Sequence, residues 1–472
     1  MIDTKLMLAG LKAFLVALFL TPVIRDVFRS YNVVDRPGRR KVHAYPIPRV
    51  GGIPIAVAYV FTLAGLFAVD SPLSGSRASA LLPGVALIFL TGLFDDFFNL
   101  TPRVKLLGQI TAGVTVFAAG LRLGPIEGVS LPLWLNGCIT IFWLLLTTNA
   151  MNLIDGLDGL CAGAGLVGAL TFLMAGLIRG QPGLVWVALP LVAALLGFVF
   201  HNFNPATVFL GDSGSLLIGF LLGGFGLIWT SRGVSFSGAA LPLLALSVPL
   251  TDLSLSVIRR SLKGQPIFAA DRGHIHHRLL QDGLSVRSAA LSMWTAAGLG
   301  ACFALLMGLQ APFAAHAACA LGFAVVVTAL VQRLRYPEFE VAWRLIFRRE
   351  FQRALAEKSR LEYLSRSLET AQTEDEWWNR IAEVARDLKW IRVSQVETRA
   401  ALERTVREKA FGETLPGSAV WSFRVNLGPG ESLQVEGYGG SDRPAFDLPS
   451  FAAVVSSSFR ARSGGWRQHA LP

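Results

Sequence analysis

The sequence predicts an all-α polytopic membrane protein with about 11 transmembrane helices, followed by a small C-terminal cytoplasmic α+β domain. Three observations predict it. Of 472 residues, 53% are hydrophobic and only 16% are charged, and the mean hydropathy is positive, which excludes an ordinary soluble globule. Apolar runs recur at 7–24, 52–69, 80–94, 106–121, 133–150, 159–178, 184–200, 215–230, 239–258, 288–309 and 313–332. Each is long enough, or nearly so, to cross the ~30 Å hydrocarbon core. Residues 333–472 hold 22 Lys and Arg and 19 Asp and Glu, leaving 34 charged residues for everything before them. The tail therefore reads as a separate water-soluble region.

No small-residue cleavage pattern follows the first run, so it is expected to stay as a helix. The third run is short, which leaves the count open by one. A chain that spans repeatedly returns to the same face at every second crossing. Connections after odd-numbered runs carry fifteen Lys and Arg; those after even-numbered runs carry four, Arg77, Arg122, Arg179 and Arg232. The positive-inside rule places the odd connections in the cytoplasm. Eleven crossings then put the tail inside and the N-terminus outside. The net charge of +11 is this orientation signal together with attraction to anionic headgroups and phosphates, and it requires no nucleic-acid partner. Cys138, Cys161, Cys302 and Cys319 lie in or against apolar runs without metal or disulfide spacing.

The polar clusters all fall on odd connections. Asp95-Asp96 ends the third run, where adjacent carboxylates repel and invite a cation or a shared proton. Taken alone, the pair is equally a helix end facing water. Lys105 follows ten residues later, within reach of a phosphate. In "NAMNLIDGLDGLCAG", Asn149, Asn152, Asp155 and Asp158 recur every third residue. An α-helix cannot hold that spacing on one face, so a helix break at Gly156 and Gly159 is expected, with the side chains converging on something bound. "FLGDSGS" sets Asp212 between glycines, which suits a Mg²⁺ held by few protein oxygens and completed by substrate phosphates. A capped helix start is the plainer reading of that loop by itself. "DRGHIHHRL" offers His274, His276, His277 and Arg278 as donors to a diphosphate; zinc would need softer ligands that these loops lack.

In combination these residues describe a Mg²⁺-dependent reaction on phosphate groups, run at a membrane surface between a lipid and a soluble anion. "DRPGRRKVHAYPIPRVGGIPI", "GLFDDFFNLTPRVKLLGQ", "NAMNLIDGLDGLCAG", "FLGDSGS" and "DRGHIHHRLL", in that order, resemble the polyprenyl-phosphate N-acetylhexosamine-1-phosphate transferases. The "HIHH" motif looks more like the branch that starts teichoic acid, O-antigen or common-antigen synthesis. The resemblance covers about residues 1–333. It implies transfer of a sugar 1-phosphate from a UDP-sugar, commonly UDP-N-acetylglucosamine, onto undecaprenyl phosphate, with release of UMP. It implies Asp212 and Asn152 as ligands of Mg²⁺, or Mn²⁺ in its place, and Asp95 or Asp96 as the group that deprotonates or orients the lipid phosphate. It further implies Lys105, His274, His276 and His277 on the diphosphate, and Asp155 and Asp158 at the nucleotide and sugar end. Asn149, Arg278 and His43 complete the expected substrate-binding set. Asp252 matches a weaker family position. Thr207 departs from the pattern, since many relatives carry Lys there.

Two other classes share parts of this pattern. CDP-alcohol phosphotransferases also use paired Asp-Gly motifs, but need an Ala-Arg and two further spaced Asp residues that "DGLDGLCAGAGLVGAL" lacks. A secondary transporter would place its ionisable groups near the bilayer midplane rather than at segment ends.

The tail divides into an amphipathic linker helix over 334–372 and a cytoplasmic accessory domain over 373–472, after a transferase domain over 1–333. The linker lies on headgroups or pairs with a second copy to give a homodimer. Helices are expected in "TEDEWWNRIAEVARDLKW" and "LPSFAAVVSSSFRARS", and a hairpin in "AVWSFRVNL" and "SLQVEGYGG" around "GPGE". The domain faintly resembles half of a GAF-type sensing domain, and a docking or dimerisation appendage without ligand is the plainer reading.

Overall fold

The computed structural model describes residues 4–35, 46–67, 78–262, 273–309, 311–333, 361–387, 390–399, 402–411, 420–438 and 448–468. The chain forms two units, Met1–Glu338 and Phe339–Pro472.

The first unit is helical: α1 (Thr4–Ser30), α2 (Gly52–Phe67), α3 (Leu82–Phe98), α4 (Pro102–Ala118), α5 (Leu133–Ile154), α6 (Leu160–Ile178), α7 (Pro182–Asn202), α8 (Gly211–Thr230), α9 (Phe236–Ala239), α10 (Leu241–Ala245), α11 (Ser247–Leu262), α12 (Ile275–Gln281), α13 (Val286–Gly308) and α14 (Phe313–Arg333). Among the described residues every predicted apolar run falls mainly on helix, but not every run is a simple crossing. Eight helices are long and apolar enough to span: α1, α3 with the 3-10 turn before it, α5, α6, α7, α8, α13 and α14. A ninth results if α9–α10 and α11, bent by 80° at their junction, are counted as one. α2 has 16 residues. α4 has 17, and Arg103 and Lys105 occupy its first turn, so its apolar part is shorter than a bilayer. The expected count of eleven thus resolves into eight full spans and three shorter or bent segments.

α8 is the axis of this unit, with its spanning window entirely buried. Its packing partners include α3, α5, α6 and α2. Small residues make this approach possible, because helices in lipid associate by close packing rather than by a hydrophobic drive between them. A Cβ on Gly219 would stand 2.7 Å from the Thr147 carbonyl oxygen of α5, and one on Gly92 of α3 would stand 2.6 Å from the Asp212 carbonyl oxygen.

The described parts of the odd connections meet at one end of this bundle. Gly51 and Gly52 donate backbone N–H groups to the Phe209 and Leu210 carbonyls at 2.9 Å each, tying the segment before α2 to the segment before α8. Even connections meet at the other end, where Ile126 pairs with Val234 and Gly124 N–H donates to Thr230 Oγ1 at 3.3 Å.

In the second unit, β1 (Arg392–Arg399), β2 (Leu402–Ala410), β3 (Val420–Gly428) and β4 (Glu431–Tyr438) form an antiparallel sheet of order β2-β1-β4-β3. Val393, Val425, Leu427, Leu433 and Val435 bury one face among Trp377, Ile381, Phe451, Val455 and Phe459. These come from the predicted helices, observed as Glu374–Asp387 and Leu448–Gln468. The β3–β4 hairpin forms where predicted. β1 and β2 were not anticipated, because their charge-rich sequences lack apolar alternation. Arg392 of β1 uses those charges across neighbouring strands, pairing with Glu408 of β2 at 3.2 Å and Glu436 of β4 at 3.7 Å. Residues 334–360 of the expected linker lie outside the described residues. Its last part, 361–369, is helical, and Leu364 and Leu368 join the core.

Replacing Gly92 by Val forces α3 off α8. It is expected to cost about 1–3 kcal/mol and to lower the melting temperature of the detergent-solubilised protein; an unchanged melting curve would contradict this packing.

Candidate active site

The site is assembled on the amino end of α8. No side chain of the preceding segment caps this helix. Asp96 at the end of α3 does so instead, accepting the Asp212 and Ser213 backbone N–H groups at 2.7 and 2.9 Å. Such an end offers unsatisfied donors and the positive pole of the helix dipole, both suited to a carboxylate. Gly211 makes the approach possible: its φ is +74°, and a Cβ there would lie 2.8 Å from Asp96 Oδ2.

The cap turns Asp212 toward α4 and α5. Lys105 Nζ donates to Asp95 Oδ2 and Asp212 Oδ2, both at 2.8 Å. Asn152 Nδ2 donates to Asp212 Oδ1 at 2.6 Å and to Ser215 Oγ at 2.9 Å. Leu100 N–H donates to the other Asp95 oxygen at 2.8 Å. Lys105 thus bridges carboxylates from two helices, closing a chain of bonds from α3 through α4 and α8 to α5.

The predicted break after α5 is present. α5 ends at Ile154, and Gly159, with φ +75°, precedes α6. The four residues of the ladder nevertheless take different partners, which corrects the expectation that all of them converge. Asn149 exchanges amide hydrogen bonds with Gln109, at 2.7 and 3.3 Å. Asn152 reaches Asp212. Asp158 Oδ2 accepts from Asn204 Nδ2 at 2.9 Å and from Ala206 N–H at 3.0 Å, fastening the loop between α7 and α8. Asp155 stays beside the cluster. Burial pushes its carboxyl up to about 8, with the charges of Asp212, Asp96 and Asp158 adding and Arg49 opposing. Three-residue steps drift about halfway round a helix over these four positions, so their side chains leave in separate directions.

The histidine segment closes the same end. Asp252 of α11 accepts from the His274 imidazole, Nδ1 to Oδ2 at 2.8 Å, and from Ile275 N–H at 2.7 Å. His276 stacks on His274, with centroids 5.7 Å apart, and contacts His277 at 4.3 Å. Its ring is 1% exposed, and neither nitrogen has a hydrogen-bond partner among the described residues. It lies against Gly156, where a Cβ would overlap Nε2. Burial lowers the His276 pKa to about 3, with His277 and His274 lowering it further and Asp252 opposing. A neutral imidazole with free nitrogens, one residue from Asp155, can donate to an incoming oxygen. Arg278 is half-buried on α12. His43 lies outside the described residues.

A family model described as Glycosyl transferase family 4 matches residues 78–230. A relative from Bacillus subtilis (strain 168), described as a probable undecaprenyl-phosphate N-acetylglucosaminyl 1-phosphate transferase, is 34% identical over 298 residues, 61% of this chain and 81% of its own. The chain belongs to the polyprenyl-phosphate N-acetylhexosamine-1-phosphate transferase superfamily. A decaprenyl-phosphate N-acetylglucosaminephosphotransferase of Mycobacterium tuberculosis (strain ATCC 25618 / H37Rv) is 35% identical over 325 residues, 62% of this chain and 80% of its own. An undecaprenyl-phosphate alpha-N-acetylglucosaminyl 1-phosphate transferase of Escherichia coli (strain K12) is 29% identical over 297 residues, 60% of this chain and 78% of its own.

In this superfamily member, Arg49, Gln109, Ser215 and Asn204 also contribute, and sequence reasoning passed over all four. Arg49 was visible within a basic motif, but only the fold brings it beside Asp155. Gln109 stands in an apolar run, where a lone amide at 3% exposure is itself a signal.

Gly156→Ala would displace His276, and a misplacement of about 1 Å is expected to lower sugar-phosphate transfer on the order of 100-fold while the protein stays monodisperse. The low His276 pKa also predicts an acid sensitivity. Stability linked to this group is complete above its ordinary value of 6.5 and declines as pH falls toward about 3. Comparing melting temperature against pH for the wild type and His276→Phe should show a shallower acid limb in the variant.

Proposed function

We propose that this chain transfers an N-acetylhexosamine 1-phosphate, GlcNAc-1-phosphate in the first instance, from a UDP-sugar to undecaprenyl phosphate. The reaction runs at the cytoplasmic face of the bacterial inner membrane, releases UMP and starts a cell-surface glycan. The observation that carries this reading is the Lys105–Asp95–Asp212–Asn152 constellation, with Asp96 and Asp155 beside it, at the bundle end that gathers the basic connections. The names of the three relatives support the GlcNAc and polyprenyl assignments. The "HIHH" motif supports the teichoic acid or O-antigen branch.

The donor set fits a hard divalent cation. Lys105 answers Asp95 and Asp212, and Asp96 and Asp155 stand beside them with Arg49, so oxygen ligands are in excess among the described residues of the cluster. Among the described residues no three His, Cys, Asp or Glu side chains form a ready metal cage. Mg²⁺ needs only one or two carboxylates and takes its remaining oxygens from water and substrate phosphates. Asp212 and Asn152 would hold it, and when bound it would supply charge neutralisation at the diphosphate.

The chain's own groups do the remainder. Lys105 and the neutral His276 donate to diphosphate oxygens, and Asp252 keeps the histidine segment in place through His274. Asp95 orients the lipid phosphate, whose oxygen attacks the phosphorus bearing the sugar. The bond from that phosphorus to the bridging oxygen breaks, and UMP leaves with the electron pair. The nucleophile is already an anion, so removing repulsion and fixing the line of attack are the principal tasks. Asp158 and the loop it fastens border the nucleotide and sugar end.

Purified protein with UDP-GlcNAc, undecaprenyl phosphate and Mg²⁺ is expected to release UMP, and Asp212→Asn to lower the rate 100-fold or more, on the order expected for losing a charged transition-state contact. Mg²⁺ should also raise the melting temperature of the wild type but not of Asp212→Asn. No UMP from any UDP-HexNAc would defeat the donor assignment; equal Mg²⁺ shifts in both proteins would defeat the ligand assignment.

A further inference from the structure

We infer that the bundle end opposite the carboxylate cluster carries a second binding site, for the phosphate headgroup of an anionic bilayer lipid, built on Arg122, Arg179 and Arg232. α8 separates the two ends: Asp212 begins it and Arg232 follows it, and twenty helical residues rise about 30 Å. Nothing bound at one end touches the other.

Two cavities of about 770 and 1320 Å³ adjoin there and share Pro125 and Arg232 in their walls. Arg122, Asn136 and Gln181 line the first, and Arg179 and His316 line the second. This end has few basic residues, yet the three described ones gather on one paired cavity. Among the described residues none of the three has an acidic partner. The one carboxylate in the lining, Glu127, accepts the Phe236 backbone N–H of the neighbouring connection at 3.1 Å. The Nε of Arg179 is buried without a hydrogen bond.

The arginines stand on a fixed frame. Ile126 pairs with Val234, and Val234 N–H donates to the Pro125 carbonyl at 3.1 Å, joining the segments that carry Arg122 and Arg232. Arg179 lies 5.2 Å over the Trp229 ring, whose indole N–H donates to the Gly238 carbonyl at 2.8 Å. Three guanidinium groups held near a low-dielectric boundary repel one another, and an anion between them removes that cost. The rest of the lining identifies the anion as part of an amphiphile. Leu133, Phe236 and Phe313 form walls of these cavities and are 60%, 74% and 86% exposed, so an apolar surface continues from the arginines toward hydrocarbon. A free phosphate would use only the arginines; a phospholipid uses both, with its headgroup on the cations and its chains along the walls.

The test is native mass spectrometry of the delipidated full-length protein, titrated with phosphatidylglycerol or phosphatidylcholine, on wild type and on Arg122→Gln/Arg232→Gln. Wild type is expected to retain phosphatidylglycerol roughly tenfold or more over phosphatidylcholine. The variant should lose the preference while keeping its sugar-phosphate transfer rate, which also shows that it folds. Should the double variant lose both transfer and monodispersity, each single substitution is scored by the same preference. Equal retention of the two lipids by wild type, or an unchanged preference in the variants, overturns the site. Millimolar inorganic phosphate displacing phosphatidylglycerol completely would assign the arginines to a soluble anion and overturn the lipid.

Discussion

An excess of carboxylates around one lysine, gathered where α8 begins, is the constraint on which the rest of the membrane unit depends. Asp95, Asp96, Asp155 and Asp212 come from three helix ends, and Lys105 answers two of them directly. Asp96 is accommodated differently, by the unsatisfied N–H groups of α8. Asp155 has neither remedy, and its raised pKa records that burial. Such a cluster is costly in a protein that only folds and useful in one that binds a cation with phosphates.

The glycines around α8 explain how charged helix ends come this close. Gly92, Gly211 and Gly219 each stand where a Cβ would meet backbone or carboxylate atoms. They let α3 and α5 approach the fully buried axis, so that Asp96 reaches the α8 backbone and Asn152 reaches Asp212. The glycines are thus part of the site's geometry, although none carries a functional group.

The two ends of the bundle use charge in opposite senses. At one, the four described carboxylates of the cluster outnumber Lys105 and Arg49 beside them. At the other, Arg122, Arg179 and Arg232 exceed the single engaged carboxylate and call for an anion. Loop pairing is local at both ends, through Arg49 with Phe209 at the first and Ile126 with Val234 at the second. Each set of side chains is therefore positioned independently of the other.

The sequence by itself determined the class of the protein, because burial in lipid demands long apolar runs and those are written in consecutive residues. It also determined which connections share an end, since alternation of crossings is a matter of counting. The candidate-site residues Asp95, Asp96, Lys105, Asn152 and Asp212 were legible as polar groups at apolar boundaries, a pattern with few structural uses. Tertiary structure decided the rest. Only packing could show that Asn149 pairs with Gln109, that Asp158 fastens a loop, or that α9–α10 and α11 bend by 80° at their junction. β1 and β2 were equally hidden, because their charges read as solvated surface until strand pairing gave them partners. Periodicity reports which way a side chain leaves its own element; what it meets depends on residues far away in the chain, and that meeting exists only after the helices have packed.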